Sequence, residues 1–281
     1  MLTALALIVK LMLYIGALVT IGILLHFSLG IQQKLKGLRA FVVVLIIGAA
    51  SKLIIANAQL AGSLSQAFNP ETFGWVWQSN GTQFLVFMGG ASLAILSSFI
   101  NASAFRKITA ALSIIVLSAG FAASGHTQGA ENMPWLPLWV VPHSLIAGFW
   151  MWAPISLWPS KAATDADIIW RADRFSLFAT WAVPLLFASG LYLLWRLNGN
   201  LLDLNSTLYG RLLLGKLIAA VLILGAGAYN KFRIAGLLRQ SPSLGRAALR
   251  KSLSLEAALF ILVLVCILLA TTLTGPEGHH H

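Results

Sequence analysis

Charged residues are scarce in this sequence, and their scarcity excludes a water-soluble domain. Only 10% of the 281 residues are Asp, Glu, Lys or Arg, and 58% are hydrophobic. Soluble domains carry about 25% charged residues. A chain with so little charge and so much apolar surface is a polytopic membrane protein.

Cysteine and histidine are also scarce. The only cysteine, Cys266, lies in an apolar run, which excludes a disulfide framework and a CxxC metal site. Residues 278–281 end in three histidines and have the form of a purification-tag remnant, so they are set apart from the fold. The native histidines are then His26, His126 and His143.

Long apolar runs dominate the rest of the chain. A spanning helix needs about 20 apolar residues, and the runs are continuous, without the alternation of barrel strands. The predicted fold class is therefore all-α, a membrane helical bundle with eight transmembrane helices in a single domain over residues 1–276. The predicted helices cover residues 4–29, 39–64, 82–102, 107–124, 137–158, 172–197, 208–232 and 249–274.

The positive charges fall on one side of this bundle. Basic residues favour cytoplasmic loops, and 65–81 and 125–136 contain neither Lys nor Arg. Both termini are therefore predicted to be extracytoplasmic. The net charge of +11 reflects the basic residues of the cytoplasmic loops, and no nucleic-acid partner is predicted from it. Of the 19 basic residues, 14 lie in or beside alternate connections: Lys34, Lys36, Arg39, Arg106, Lys107, Lys161, Arg171, Arg174, Lys231, Arg233, Arg239, Arg246, Arg250 and Lys251.

Four charged residues stand out in the interior of the predicted helices. A charge in the hydrocarbon costs about 2.5–3.5 kcal/mol on insertion scales and usually faces a partner or a cavity. Lys10 lies near enough to the outer surface to snorkel. Lys52, Lys216 and Glu256 lie deeper, and they either couple helices or line a polar path. For Glu256, Lys52 and Arg174 are candidate partners.

Two histidines are brought together by the predicted topology. His126 follows the fourth helix and His143 lies near the start of the fifth, so both are expected at one depth on the extracytoplasmic side. Met133 and Glu131, between them, are further candidate donors. Imidazole binds copper, zinc, iron and nickel, and a thioether favours Cu(I). These residues are therefore either metal or haem ligands or hydrogen-bonded loop residues.

Several short motifs in the C-terminal half resemble one known family. They are RFS at 174–176, SGLY at 189–192, YGRLLLGK at 209–216, NK at 230–231, SLE at 254–256 and TGP at 274–276. Upstream, SGH at 124–126 and PHSLIAGFWMW at 142–152 bear two of the histidines. Together they resemble the copper resistance D (CopD) family, most strongly over residues 120–276.

The resemblance implies a bacterial inner-membrane protein that moves copper between periplasm and cytoplasm. It implies that His126 and His143 are the matching histidines, and that Tyr209, Lys216 and Glu256 are family positions. It also implies a periplasmic copper-binding partner of the CopC type, which would here be a separate chain.

The predicted function is copper uptake or translocation without enzymatic activity. Copper would bind His126, His143 and Met133 at the outer mouth and pass inward beside Met151, Asn57 and Lys52. The outer surface of the protein would contact membrane lipid. Two alternatives remain open. One is a b-type haem redox protein that uses the same histidines. The other is an assembly factor that holds copper without transporting it.

Overall fold

The protein is an all-α bundle. The computed structural model describes residues 1–123, 134–198 and 204–273, and these contain no β-strand. The helices are α1 (Leu2–Ser28), α2 (Leu38–Leu60), α3 (Pro70–Phe99), α4 (Ser103–Ala122), α5 (Leu136–Ser156), α6 (Asp165–Asn198), α7 (Leu208–Tyr229), α8 (Ala235–Gln240) and α9 (Pro242–Leu273). A 3-10 turn, Leu64–Gln66, precedes α3, and a π-helical turn, Asn230–Ile234, joins α7 to α8.

Eight stretches of the described chain are long and apolar enough to cross a membrane. They are α1 to α6, the continuous rod from α7 through α8, and α9. The predicted fold class and number of spanning helices are thus confirmed. The extracytoplasmic orientation of both termini remains a prediction.

Several helices extend beyond the apolar runs that predicted them. The third helix begins at Pro70 and not at residue 82, because the side chain of Asn69 caps it by accepting a hydrogen bond from Glu71 N at 2.9 Å. The sixth begins at Asp165 and the last at Pro242, each seven residues before its predicted start. Apolar runs mark the lipid-embedded part of a helix, while its backbone hydrogen bonds and caps decide where it ends.

Glycines set the close packing of the first five helices. Helix α1 contacts α2, α3, α4, α5 and α9, so it lies at the centre of the bundle. A Cβ added at Gly16 would lie 2.5 Å from the backbone nitrogen of Leu45, and one at Gly48 would lie 2.6 Å from that of Leu13. Small residues of this kind let membrane helices approach backbone to backbone.

The last helices are packed less closely. Helix α7 lies along α9, whereas α6 packs mainly on α5 and has little contact with α7. The gap is a cavity of about 560 Å³ between α5, α6, the α7–α8 rod and α9. We call this cavity the vestibule. It lies toward the end of the bundle that holds Lys231 and Arg239, which line it.

Candidate functional site

His143 is held by α6 in one orientation. Its Nδ1 lies 3.3 Å from the hydroxyl oxygen of Ser189, and that hydroxyl lies 3.0 Å from the carbonyl oxygen of Leu186. Because Ser189 donates its only proton to the Leu186 carbonyl, its oxygen accepts from His143, and Nδ1 carries the ring proton. The lone pair of Nε2 then remains available, which is the form of imidazole that binds metals.

A glycine on α6 lies against the ring of His143. A Cβ added at Gly190 would lie 3.2 Å from His143 Cε1, so a side chain there would press on the imidazole. Ser189 and Gly190 therefore act together, one as hydrogen-bond acceptor and the other by leaving space. Both residues belong to the SGLY motif, so this short segment of α6 contacts a histidine of α5 and fixes its orientation.

Three further residues lie at a similar depth to His143. His143 and Ser189 are seven and nine residues from the nearest ends of α5 and α6, and Lys216 and Cys266 are eight and seven residues from those of α7 and α9. At 1.5 Å per residue, all four lie about 10–13 Å from the helix ends. Lys216 interacts electrostatically with both His143 and Cys266. A charged ammonium there would oppose a cation on His143.

His26 has no ring nitrogen free for a ligand. It is fully buried, with Nε2 2.8 Å from the carbonyl oxygen of Phe149 and Nδ1 2.8 Å from the hydroxyl of Ser156. Nε2 donates to the carbonyl and Nδ1 accepts from the hydroxyl. His26 therefore joins α1 to α5 as a packing residue.

Lys52 forms a hydrogen bond with a neutral side chain in the first half of the bundle. Its ammonium donates to Gln83 Oε1, and Gln83 Nε2 donates to the carbonyl oxygen of Gly120 at 3.0 Å. This chain of hydrogen bonds links α2, α3 and α4. Lys10 is similarly engaged, since its ammonium donates to Thr271 Oγ1 at 2.9 Å and to the Thr271 carbonyl at 3.0 Å, which joins α1 to α9.

Asn57 organises the connection between α2 and α3. Its Nδ2 donates to the carbonyl oxygens of Ala67 and Asn69, both at 3.0 Å, and its Oδ1 accepts from Thr72 at 2.7 Å. All of its polar atoms are therefore used within one half of the bundle. Met151 packs against the apolar core of that same half.

Glu256 lies at the floor of the vestibule and is bonded to neither Lys52 nor Arg174. The side chain is 2% exposed, its Oε2 accepts from Trp150 Nε1 at 3.1 Å, and its Oε1 accepts from Asn230 Nδ2 at 2.6 Å. These contacts join α9 to α5 and to the π-helical turn. Arg174 donates instead to the Leu29 carbonyl.

Some predicted site residues lie elsewhere or outside the described chain. His126, Glu131 and Met133 fall in residues 124–133, which are outside the described residues. Tyr209 is buried at the start of α7. Among the residues that the structure describes, no three His, Cys, Asp or Glu side chains converge as a metal site.

Sequence reasoning did not anticipate four partners: Ser189, Gln83, Trp150 and Asn230. Three of them lie in motifs noted in the sequence: Ser189 in SGLY, Asn230 in NK and Trp150 in PHSLIAGFWMW. Gln83 resembled an ordinary polar residue of a membrane helix. The contacts of Gln83 and Trp150 join residues that are 31 or more positions apart, such as the 106 positions that separate Trp150 from Glu256.

Comparison with known proteins identifies the C-terminal part of the chain. Residues 171–270 match the family model described as Copper resistance protein D, and no curated protein or solved structure matches the chain. The matched segment runs from α6 into α9, so it contains Ser189, Gly190, Lys216 and Glu256. Over this segment the chain is therefore similar to the CopD family of copper resistance membrane proteins, and its eight apolar helices fit a multi-pass membrane protein.

Proposed function

We propose that this protein takes up or translocates copper from the periplasm across the bacterial inner membrane, and that it is not an enzyme. The observation that carries the proposal is the hydrogen bond between His143 Nδ1 and Ser189, which orients the ring and leaves Nε2 for a ligand. The residues that orient it, Ser189 and Gly190, lie within the segment that matches a copper resistance family.

The donor types suit copper as the transported ion. Imidazole binds copper in either oxidation state, and a thioether adds preference for Cu(I). His143 would bind through Nε2, with His126 and Met133 as the further ligands in the adjoining segment. An outer hydrogen bond such as that from Nδ1 to Ser189 fixes the ring and strengthens metal binding.

The inward route that we propose follows α5, α6, α7 and α9. Lys52 and Asn57 form hydrogen bonds within the α2–α4 region, and Met151 packs in the core of that region. Lys216 and Cys266 instead lie at the depth of His143. Copper would reach the outer site from a separate periplasmic partner of the CopC type, and the surrounding surface would contact lipid.

Copper loading of the purified protein tests the outer site. We expect wild-type protein in nanodiscs to retain copper after desalting, and His143→Ala and His126→Ala each to lower the bound stoichiometry. The matched control is His26→Gln, which changes the histidine whose ring nitrogens are both hydrogen-bonded and should leave the stoichiometry unchanged. Unchanged copper in both alanine variants would reject the site.

Uptake into proteoliposomes distinguishes a transporter from a protein that only holds copper. Copper that enters the vesicles in a His143-dependent manner supports transport, whereas binding without flux supports the assembly-factor alternative. A Soret band in the visible spectrum of the purified protein would favour haem. Among the described histidines only His143 has a free ring nitrogen, so a bis-histidine haem would also require His126.

A further inference from the structure

The vestibule has a polar wall that leads to a buried carboxylate. Asp173, Ser176 and Thr180 all line it, and their spacing of three and four residues places them on one face of α6. From Asp173 to Thr180 this face extends about 10 Å along the helix. The floor is formed by Glu256 with Asn230 and Trp150. The cavity volume of about 560 Å³ gives room for several water molecules beside these polar groups.

Asn230 can form a hydrogen bond with Glu256 in either protonation state. In the structure its Nδ2 donates to the carboxylate, while its Oδ1 is buried and has no hydrogen-bond partner among the described residues. Rotation of the amide by half a turn would present Oδ1 as an acceptor for a protonated carboxyl. Asn230 lies in the π-helical turn, a local structure that is frequent at functional sites.

The ligand chemistry at Glu256 fits a proton better than a copper ion. Two N–H groups already point at the carboxylate oxygens, and no imidazole or sulfur lies among the residues that line the vestibule. The other charged side chains that line it are Asp173 on α6, Lys231 on the π-helical turn and Arg239 on α8. Asp173 pairs with Arg239 at 2.7 Å, so apart from Glu256 the lining keeps one positive charge, that of Lys231, which opposes a divalent cation more than a proton.

We propose that Glu256 binds and releases a proton. The proton would enter and leave through the vestibule, from the end of the bundle that holds the basic loops. A proton from water adds to a lone pair of the carboxylate to give the neutral acid, without electron transfer. An ionisable group within a membrane protein is typical of such relays. Trp150 and His143 are seven residues apart on α5, so the partner of Glu256 and the outer histidine share one helix face about 10 Å apart along the axis.

Infrared difference spectroscopy tests proton binding without copper. Full-length protein in nanodiscs, titrated over pH, should show the C=O band of a protonated carboxyl in apolar surroundings. Glu256→Gln should abolish this band, and Glu71→Gln, which changes an exposed acid at the start of α3, should retain it. A band that persists in Glu256→Gln, or a wild-type spectrum without it, would overturn the proposal.

A second pair of variants tests access through the vestibule while Glu256 stays in place. Ser176→Leu fills the polar wall, and Leu177→Phe adds bulk to the neighbouring exposed residue as the matched control. We expect Ser176→Leu to slow hydrogen–deuterium exchange of the carboxyl band by about tenfold, an added barrier of about 1.4 kcal/mol. Equal exchange rates in the two variants would refute this access route.

Coupling of this proton to copper movement rests on the proposed function. In proteoliposomes with an internal pH indicator, wild-type copper uptake should change the internal pH, and Glu256→Gln should abolish that change. A pH change that persists in Glu256→Gln overturns the coupling. Absence of copper flux in the wild type would instead reject the proposed transport, and the infrared result would still decide whether Glu256 binds a proton.

Discussion

The first five helices are packed more closely against one another than the last four. In the most apolar stretch of α1, 61% of the residues are buried within the protein, against 11% in that of α6. Glycine contacts bring α1 against α2 and α5, whereas α6 stands away from α7 and leaves the vestibule. The family match covers the second region. The first region is thus a close-packed scaffold, and the second holds the cavity and the matched motifs.

The largest expected effect comes from breaking a glycine contact in the scaffold. A Cβ at Gly22 would lie 2.5 Å from Trp152 Cβ and also meet the Gly148 carbonyl, so Gly22→Ala must separate α1 from α5. We expect it to lower the free energy of unfolding by about 1–3 kcal/mol or more. Denaturant unfolding in detergent micelles measures this change.

The matched control lies in the second region. A Cβ at Gly225 meets no other atom within 4 Å, so Gly225→Ala should be neutral or should stabilise the protein by about 0.4–1 kcal/mol. Equal losses of stability at the two positions would show that the two regions do not differ in packing as described.

The next effect concerns the polar contacts within the scaffold. Gln83→Leu removes the acceptor for the Lys52 ammonium and the donor to the Gly120 carbonyl, and should cost about 1–3 kcal/mol of unfolding free energy. The double variant with Lys52→Met should recover part of the loss, because the ammonium is then no longer without its partner. Copper uptake lost at unchanged stability would place Lys52 on the transport route.

Ser189→Ala should affect binding and spare the fold. It removes the acceptor that fixes His143 Nδ1, and loss of such an outer partner typically lowers metal affinity about 10–100-fold. Copper titration measures the affinity, and thermal unfolding checks the fold. Ser176→Ala, on the same helix in the vestibule, is the control and should leave copper affinity unchanged. An unaltered affinity in Ser189→Ala would mean that the serine does not orient the ligand.

The smallest effect is expected at the rim of the vestibule. Asp173 and Arg239 are about half exposed, with side-chain exposures of 52% and 49%, so Asp173→Asn should cost about 0–1 kcal/mol. Asp165→Asn should cost more, because its partner Arg246 is only 19% exposed. Unfolding at low and high salt measures both. The reverse order would indicate that the Asp173–Arg239 pair holds α6 against α8.

The sequence predicted the spanning helices better than it predicted their ends and their polar contacts. Eight apolar runs and their order were sufficient for the spanning helices, because the hydrocarbon thickness fixes their length. The helix starts at Pro70, Asp165 and Pro242 were missed, since polar turns outside the lipid carry no hydropathy signal. The prediction that Glu256 pairs with Lys52 or Arg174 was also wrong. Its carboxylate accepts hydrogen bonds from the neutral side chains of Trp150 and Asn230.

Composition and hydropathy alone determined that this chain is an eight-helix membrane protein, because a lipid environment constrains length and apolarity so strongly. They also singled out His143, Lys52 and Glu256 as residues that need a structural or functional explanation. Only the tertiary structure decided that Lys52 bonds Gln83, that Ser189 orients His143, and that Glu256 forms the floor of a cavity. Such pairings depend on which faces of distant helices meet, and those faces are set by side-chain packing across the whole bundle.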